Sequence, residues 1–170
     1  TVDVPFGRAS GEGAATCDDA FAARSRTHGD GVSYDFSGRR VIVAEDNELN
    51  REIATEVLAM AGAEVLAAST GAEAVRAFER SHPGSVDLIF MDIQMPEMDG
   101  YEATRVIRSL DRDDARSVPI VAMTANAFVE DEERSRMSGM DGHLSKPLDI
   151  HLVYATMDRF LRGRSRGGGA

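Results

Sequence analysis

The sequence contains very little cysteine and no tryptophan, and it has no long apolar run. Cys17 is the only cysteine in 170 residues, so no disulfide bond can form within the chain, and we expect a reducing, cytoplasmic compartment. No stretch of roughly 18 consecutive apolar residues occurs, so no segment is predicted to span or contact a membrane directly. The N-terminus has no basic region followed by an apolar stretch, and a signal peptide is therefore not predicted.

Positive charge is also scarce, and its distribution is informative. The formal net charge of −10 argues against a nucleic-acid surface, because phosphate binding needs clustered cations. Lys146 is the only lysine among 19 basic residues. A compact ammonium on a flexible stem differs chemically from the planar arginine fork, so this position is a candidate functional charge. The alternative is that an arginine-rich composition left one lysine by chance.

The chain divides into three parts by composition. Residues 1–37 are predicted to be a mostly disordered linker, because they are rich in small and polar residues and show no sustained helical or strand period. Residues 38–162 carry regular apolar segments and are predicted to form one domain. Residues 163–170 (GRSRGGGA) are predicted to be a flexible tail.

Short apolar runs alternate with helical patterns through the central part. Strands are predicted at 41–44, 65–68, 86–91, 119–123 and 143–145, and helices at 49–61, 71–80, 101–110, 128–137 and 148–161. Short strands joined by helices require parallel pairing with right-handed crossovers. We therefore expect an α/β fold with a five-stranded, doubly wound parallel sheet, which binds ligands beyond the carboxyl ends of its strands.

Polar side chains stand at those strand ends. Glu45 and Asp46 follow the first strand, Asp92 ends the third, Thr124 follows the fourth and Lys146 follows the fifth. Three carboxylates in one pocket repel one another, by roughly 4 kcal/mol for a pair at about 4 Å and an effective dielectric of 20, unless a cation joins them. An all-oxygen set of this kind suits Mg²⁺.

With a metal bound, one carboxylate can attack a phosphoryl donor and form an acyl phosphate. Lys146 would then neutralise charge on the transferring group, and Thr124 would hydrogen-bond it. Each residue also has a structural interpretation: Glu45 and Asp46 as helix caps, Asp92 as a turn former, Thr124 as a cap and Lys146 as a solvated charge. Their joint position after separate strands favours the functional interpretation.

Four segments resemble the motifs of response-regulator receiver domains in order and spacing. They are VIVAEDNELNR, LIFMDIQMPEMDGYEATRVIR, PIVAMTANA and GHLSKPL. The resemblance implies a flavodoxin-like strand order 2-1-3-4-5 with helices on both faces, and a phosphorelay function with Mg²⁺ as cofactor. It also implies that Asp92 accepts the phosphoryl group, that Glu45, Asp46, Asp92 and the Gln94 carbonyl hold the metal, and that Thr124, the Ala125 amide and Lys146 bind the phosphoryl oxygens.

The phrases DGHLSKPL and MTANAF look most like receivers attached to hybrid histidine kinases. Residues 1–6 (TVDVPF) resemble the last strand of a kinase ATPase domain, so they are a candidate end of a preceding domain. The implied partners are a histidine kinase, a histidine phosphotransfer protein or both. The alternative function is a stand-alone regulator or adaptor that acts by protein–protein binding.

Two positions leave alternatives open. Many receivers carry an aromatic residue three positions before the lysine, where it turns inward with the threonine on activation; here that residue is His143, which is either a switch residue or an ordinary strand residue. In the first helix, Ile53, Val57, Leu58 and Met60 can form a buried stripe. Leu49 is either a core residue or part of a partner-docking surface, to which we also assign Ile53.

Two enzymatic classes are disfavoured by the residues present. A haloacid-dehalogenase-like phosphohydrolase needs a second acid two positions after its nucleophile, where this chain has Gln94. A complete histidine kinase needs a glycine-rich nucleotide lid and an asparagine-bearing ATP motif, which this sequence lacks. The resemblance to receiver domains implies instead that the chain accepts a phosphoryl group and assists its own phosphorylation and dephosphorylation.

Overall fold

The computed structural model describes residues 34–125 and 129–162, with the side chains of residues 129–132 excepted. Five strands and five helices alternate along this part of the chain. They are β1 (Arg40–Ala44), α1 (Glu48–Met60), β2 (Glu64–Ala68), α2 (Gly71–Arg80), β3 (Leu88–Asp92), α3 (Gly100–Ser109), a 3-10 turn (Asp113–Ala115), β4 (Ile120–Thr124), α4 (Val129–Met137), β5 (Gly142–Ser145) and α5 (Ile150–Leu161).

All five strands belong to one parallel sheet with the order β2-β1-β3-β4-β5. This is the predicted order 2-1-3-4-5, and the fold prediction is confirmed. Strand β2 pairs with one side of β1, and β3 pairs with the other side. The carboxyl ends of β1 and β3 are therefore adjacent at the switch point where such sheets bind ligands.

The central strands are buried on both faces, which explains their nearly continuous apolar sequence. Ile42, Ile89 and Ile120 are aligned across β1, β3 and β4 and pack in one cluster with Phe78 of α2 and Ile107 of α3. The alternate residues face the other way, where Phe90 and Met123 line a groove together with side chains of α1 and α5. Helices therefore cover both faces, as predicted.

The predicted buried stripe of α1 is only partly correct. Val57 and Leu58 are buried, together with Ala54, but Ile53 is 46% exposed and Met60 is half-buried. Ala54 follows Ile53 by about 100° around the helix axis, and the small Ala54 side chain faces the sheet in its place. The larger Ile53 side chain lies at the margin of the groove between α1 and α5.

Two segment boundaries differ from expectation by two residues, and several others differ by one. Helix α5 begins at Ile150 rather than residue 148, because Asp149 supplies the N-cap and accepts the N–H groups of His151 and Leu152. The preceding Lys146–Pro147 peptide bond is cis. Strand β3 begins at Leu88 rather than residue 86.

Most of the predicted linker, including residues 1–6, lies outside the described residues, as does the predicted tail at 163–170. The described end of the linker contacts the domain. The Phe36 side chain is buried, its N–H donates to the Ala61 carbonyl at 2.7 Å, and its ring centroid lies 6.0 Å from that of Tyr154. The domain core therefore includes a residue that precedes β1.

A buried hydrogen bond joins α5 to α1. The Tyr154 hydroxyl donates to the Val57 carbonyl at 2.6 Å, and Tyr154 has no measurable exposure. This bond ties α1 to α5. Helix α1 directly follows the turn that holds the first acids, so the bond helps to fix the helix on which that turn depends.

We predict that Tyr154→Phe lowers the free energy of unfolding by about 1 kcal/mol, since it removes one buried hydrogen bond and keeps the ring. Urea denaturation followed by circular dichroism measures the change. Unaltered stability would show that this bond contributes nothing to the packing of α1 against α5.

Candidate functional site

The turn between β1 and α1 presents the first two acids. The Glu45 N–H donates to the Ala68 carbonyl at 3.0 Å, which extends the pairing of β1 with β2 by one step. Asn47 is the N-cap of α1 and accepts the Asn50 N–H at 3.0 Å. The capping role therefore belongs to Asn47 and not to either acid. Glu45 is 2% exposed, whereas Asp46 is exposed to solvent.

Asp92 is the last residue of β3 and is 3% exposed. Its Oδ1 accepts the Gln94 N–H at 3.2 Å, and the following loop returns so closely that the Gly100 N–H donates to the Ile93 carbonyl at 2.9 Å. A Cβ at Gly100 would lie 2.9 Å from the Ile93 Cα and would clash with the Asp92 carbonyl oxygen. The Asp92 loop therefore requires glycine at this position.

The fourth and fifth strands place the hydroxyl and the ammonium. The Lys146 N–H donates to the Thr124 carbonyl at 2.8 Å, one step beyond the pairing of Thr124 with Ser145. The Lys146 Nζ lies 2.6 Å from Glu45 Oε2 and 3.1 Å from Asp92 Oδ2. The ammonium and both buried carboxylates therefore meet at one edge of the sheet. Thr124 is buried at the same edge.

Burial and crowding perturb the acid–base properties of this cluster. Burial, followed by the hydrogen bond and charge of Glu45, raises the pKa of Asp92 to about 7, against partial opposition from Lys146. Burial of the ammonium acts to lower the pKa of Lys146, but the hydrogen bonds and charges of Glu45 and Asp92 outweigh it, and the pKa rises. One ammonium thus offsets part of the repulsion between two buried carboxylates.

The acid cluster suits a divalent cation. Glu45, Asp46 and Asp92 each offer a carboxylate oxygen, and these oxygens lie within 4.8 Å of one another. Among the side chains that the structure describes, no other group of three is close enough to hold a metal. Hard oxygen donors with one ligand exposed to water match the preference of Mg²⁺ for few carboxylates and several waters. The residues present therefore fit the predicted metal.

A family model described as the response regulator receiver domain matches residues 41–158. The chain belongs to this family. Receiver domains are the phosphoacceptors of two-component systems, and the family generally binds Mg²⁺ at an acidic pocket. The acid cluster described above lies within the matched range.

Two relatives differ in how much of their own length this chain covers. Histidine kinase 3 of Arabidopsis thaliana is 34% identical in an alignment of 146 residues that covers 75% of this chain and 14% of the kinase. The polar-differentiation response regulator DivK of Brucella ovis is 36% identical over 123 residues, which are 72% of this chain and 96% of DivK. The chain thus spans about one seventh of the kinase and nearly all of DivK.

Two solved structures resemble the fold. The receiver domain of the sensor histidine kinase PA1611 from Pseudomonas aeruginosa has a magnesium ion coordinated in its active-site cleft; it is 35% identical, with a TM-score of 0.66 over 74% of this chain and 98% of that one. The receiver domain of Ssk1 from Saccharomyces cerevisiae was crystallised with the histidine phosphotransfer protein Ypd1. The match is 29% identical, with a TM-score of 0.67 over 74% of this chain and 90% of that one.

The other predicted site residues lie near this edge but are not buried in it. Gln94 and Ala125 are exposed, and the His143 side chain is exposed on β5. Leu49, in the first turn of α1, is 64% exposed, so the core interpretation of Leu49 is wrong. No helix in the described part of the chain is long and apolar enough to cross a membrane.

Two residues at the site were not singled out from the sequence. Gly100 had no visible signal beyond its place after an aspartate, because its role depends on the return path of the loop. Arg51 donates from its guanidinium to the carbonyls of Glu45 and Asp46. A basic residue one turn into a helix that follows two acids is the only signal that could have indicated it.

The raised pKa of Asp92 predicts a pH dependence of stability in the metal-free protein. An unfolded aspartate ionises near pH 4, whereas folded Asp92 keeps its proton up to about pH 7, so the unfolded chain binds fewer protons in this window. The free energy of unfolding should fall between these pH values and level off above pH 7. Asp92→Asn should therefore stabilise the metal-free protein by roughly 2–4 kcal/mol at pH 8, and by about half of that or less at pH 5.

Urea denaturation in EDTA at both pH values measures this effect. Asp111→Asn is the matched control, because Asp111 is exposed on the loop after α3. An equal gain at pH 5 and pH 8 would show that Asp92 does not titrate in the predicted window.

Proposed function

We propose that this domain accepts a phosphoryl group from phosphohistidine on Asp92 and passes it through a phosphorelay. The observation that carries the proposal is the buried Asp92 carboxylate, which lies 3.1 Å from the only lysine ammonium and beside two further acids at the carboxyl edge of the sheet. Cytoplasmic location is part of the same proposal. The donor histidine is expected there, and the single cysteine, Cys17, suits a reducing compartment.

The proposed step is an in-line displacement at phosphorus. One Asp92 oxygen forms a bond to phosphorus, the bond from phosphorus to the histidine nitrogen breaks, and that nitrogen keeps the electron pair and takes a proton. Asp92 must be ionised to attack, so its proton has to be lost first. Lys146 is placed to pair with a phosphoryl oxygen, and the Thr124 hydroxyl and Ala125 N–H are the proposed donors to the others.

The proposed metal ligands are the carboxylates of Glu45, Asp46 and Asp92 and the backbone carbonyl of Gln94. Bound Mg²⁺ would supply positive charge against the phosphoryl oxygens. In the structure, Lys146 pairs with both Glu45 and Asp92. When the metal shares those carboxylates, Lys146 can turn toward the phosphoryl group instead.

His143 and Thr124 are the proposed switch. Thr124 is buried at the end of β4, and His143 is on the neighbouring strand, opposite Ala122. In this proposal Thr124 moves toward the phosphoryl group and the exposed imidazole moves inward with it. The alternative, a plain strand residue, predicts no change at His143 on phosphorylation.

A parent hybrid histidine kinase is the proposed source of the domain, with relay to a histidine phosphotransfer protein. The similarity to plant histidine kinases and to the PA1611 receiver supports it. The similarity to DivK over nearly its whole length supports the alternative of a single-domain regulator. The reading frame upstream of Thr1 decides between them, because a hybrid kinase has a histidine-bearing helix and an ATPase domain there.

Leu49 and Ile53 are the proposed docking residues for that partner. Both are exposed on α1 beside the acid turn, at 64% and 46%, and single large apolar side chains next to a reactive group are suited to a small, transient interface. A histidine that reaches Asp92 must approach over this rim. The Ypd1–Ssk1 complex shows that a related receiver binds a phosphotransfer protein.

We predict that a small-molecule phosphodonor with Mg²⁺ adds one phosphoryl group to the wild-type chain, which intact-protein mass spectrometry detects. Asp92→Asn should abolish the addition, because the nucleophilic oxygen is lost, and EDTA should suppress it. Asp111→Asn should leave it unchanged. Labelling of the Asp92→Asn variant at the wild-type level would refute the assignment.

We also predict that Leu49→Asp slows transfer from a phosphorylated histidine phosphotransfer protein by roughly tenfold, a cost near 1.4 kcal/mol. Small-molecule phosphorylation and the melting temperature should change little, because Leu49 is exposed.

Met137→Asp is the matched control for that experiment. Met137 is 86% exposed at the last residue of α4, which lies at the opposite edge of the sheet from Asp92 because α4 runs antiparallel to the strands. It introduces the same charge in place of an exposed apolar side chain. Equal slowing by both variants would exclude a specific docking role for Leu49.

A further inference from the structure

The turn that carries Glu45 and Asp46 is fastened by one arginine. Glu45 and Asp46 precede the N-cap residue Asn47, so their carbonyls lie outside the hydrogen-bond ladder of α1. Arg51, one turn into the helix, reaches back with its Nη1 2.9 Å from the Glu45 oxygen and 3.5 Å from the Asp46 oxygen. The guanidinium therefore bridges the two backbone carbonyls of the turn.

Arg51 is itself held in place. Its N–H donates to the Asn47 carbonyl at 2.9 Å, and its carbonyl accepts the Thr55 hydroxyl at 2.7 Å. The side chain is half-buried. Among the described residues it forms no ion pair with a carboxylate within 4.0 Å, although, after the hydrogen bonds from Ser69, its charge contributes to the lowered pKa of Glu73. Arg51 therefore places its charge on backbone carbonyls and not on a carboxylate oxygen.

The arrangement opposes a specific tendency of the turn. The carboxylates of Glu45, Asp46 and Asp92 converge to within 4.8 Å and repel one another. A strand-to-helix turn without restraint can relieve this repulsion by rotating Asp46 away, because the Asp46 side chain is exposed to solvent. Fixing the two carbonyls limits that rotation, since the peptide planes carry the side chains with them.

We propose that Arg51 is a positioning residue for the divalent cation: it holds the Glu45–Asp46 turn in the conformation in which both carboxylates converge with Asp92. This inference rests on the proposed metal-dependent function and adds one residue to it. Arg51 makes its hydrogen bonds to the backbone carbonyls of Glu45 and Asp46 and not to their carboxylates, so it acts through the backbone that carries the metal ligands.

When Arg51 is removed, the proposal and simple electrostatics predict opposite changes in Mg²⁺ affinity. A guanidinium close to a cation site repels the incoming Mg²⁺, so charge alone predicts that removing Arg51 strengthens Mg²⁺ binding. Positioning predicts that removal weakens it, because the free protein must then order the turn when the metal binds. Loss of an outer residue that orients metal ligands typically weakens affinity by about 10- to 100-fold.

The test is isothermal titration of the metal-free 170-residue chain with MgCl2 at pH 8, where Asp92 is ionised. Arg51→Met keeps the apolar stem and removes the donors, and we expect its Mg²⁺ Kd to rise roughly tenfold. Arg51→Lys can still donate to the Glu45 carbonyl and should recover most of the affinity. Arg105→Met is the control, because Arg105 is exposed on α3 and its loss changes the net charge equally.

Melting temperatures of the same proteins separate positioning from stability. A purely structural role lowers the melting temperature of Arg51→Met and leaves the Kd of the folded protein unchanged. If Arg51→Met does not fold cooperatively, Arg51→Gln takes its place, since its shorter side chain does not reach the two carbonyls.

The outcomes are distinct. A weaker Kd for Arg51→Met, with recovery in Arg51→Lys and no change in Arg105→Met, supports the proposal. An unchanged or tighter Kd in Arg51→Met overturns it, and the proposed function stands if wild type binds Mg²⁺ and is phosphorylated. Absence of Mg²⁺ binding by the wild-type chain would overturn both.

Discussion

Repulsion between carboxylates is the constraint on which the rest of the structure depends. Glu45 and Asp92 are almost fully buried and close together, an arrangement that destabilises a protein unless a cation compensates it. Lys146 provides that compensation from the end of β5, which lies two strands from β3 and three strands from β1. A single ammonium offsets only part of this cost, because burial and then the neighbouring Glu45 still raise the pKa of Asp92. The domain thus folds with a site that is prepared to take up further positive charge.

The sheet makes this concentration of charge possible because it is held together elsewhere. Its central strands are buried on both faces, and the two helical layers pack through separate apolar clusters. Polar contacts such as the Arg108 guanidinium with the Gly139 and Val118 carbonyls tie loops at the opposite edge. Stability is therefore generated away from the acids, and the carboxyl edge can carry groups that oppose folding.

The alternation of apolar strands and amphipathic helices was sufficient to predict the sheet and its polar edge. Parallel pairing allows few topologies, and side chains that follow separate strands must then meet. The features that could not be predicted from the sequence depend on how a helix is rotated about its axis and on the paths of the loops. Ile53 was expected in the buried stripe of α1, but the neighbouring Ala54 faces the sheet, since periodicity alone does not resolve a rotation of one residue. Gly100 and Arg51 escaped notice for a related reason: both act on backbone atoms, whose positions follow only from the folded turns.

The position of Lys146 in the chain has a consequence for synthesis. Asp92 precedes it by 54 residues (146 − 92), and Glu45 by 101 (146 − 45). During translation the first three strands emerge with both acids and without their cation, and the edge strand β5 delivers it last. A ribosome-bound intermediate that paired β1 with β3 would bury two carboxylates without compensation. Docking of the fifth strand is therefore an electrostatic event as well as a packing one, because it brings the ammonium to the two buried acids.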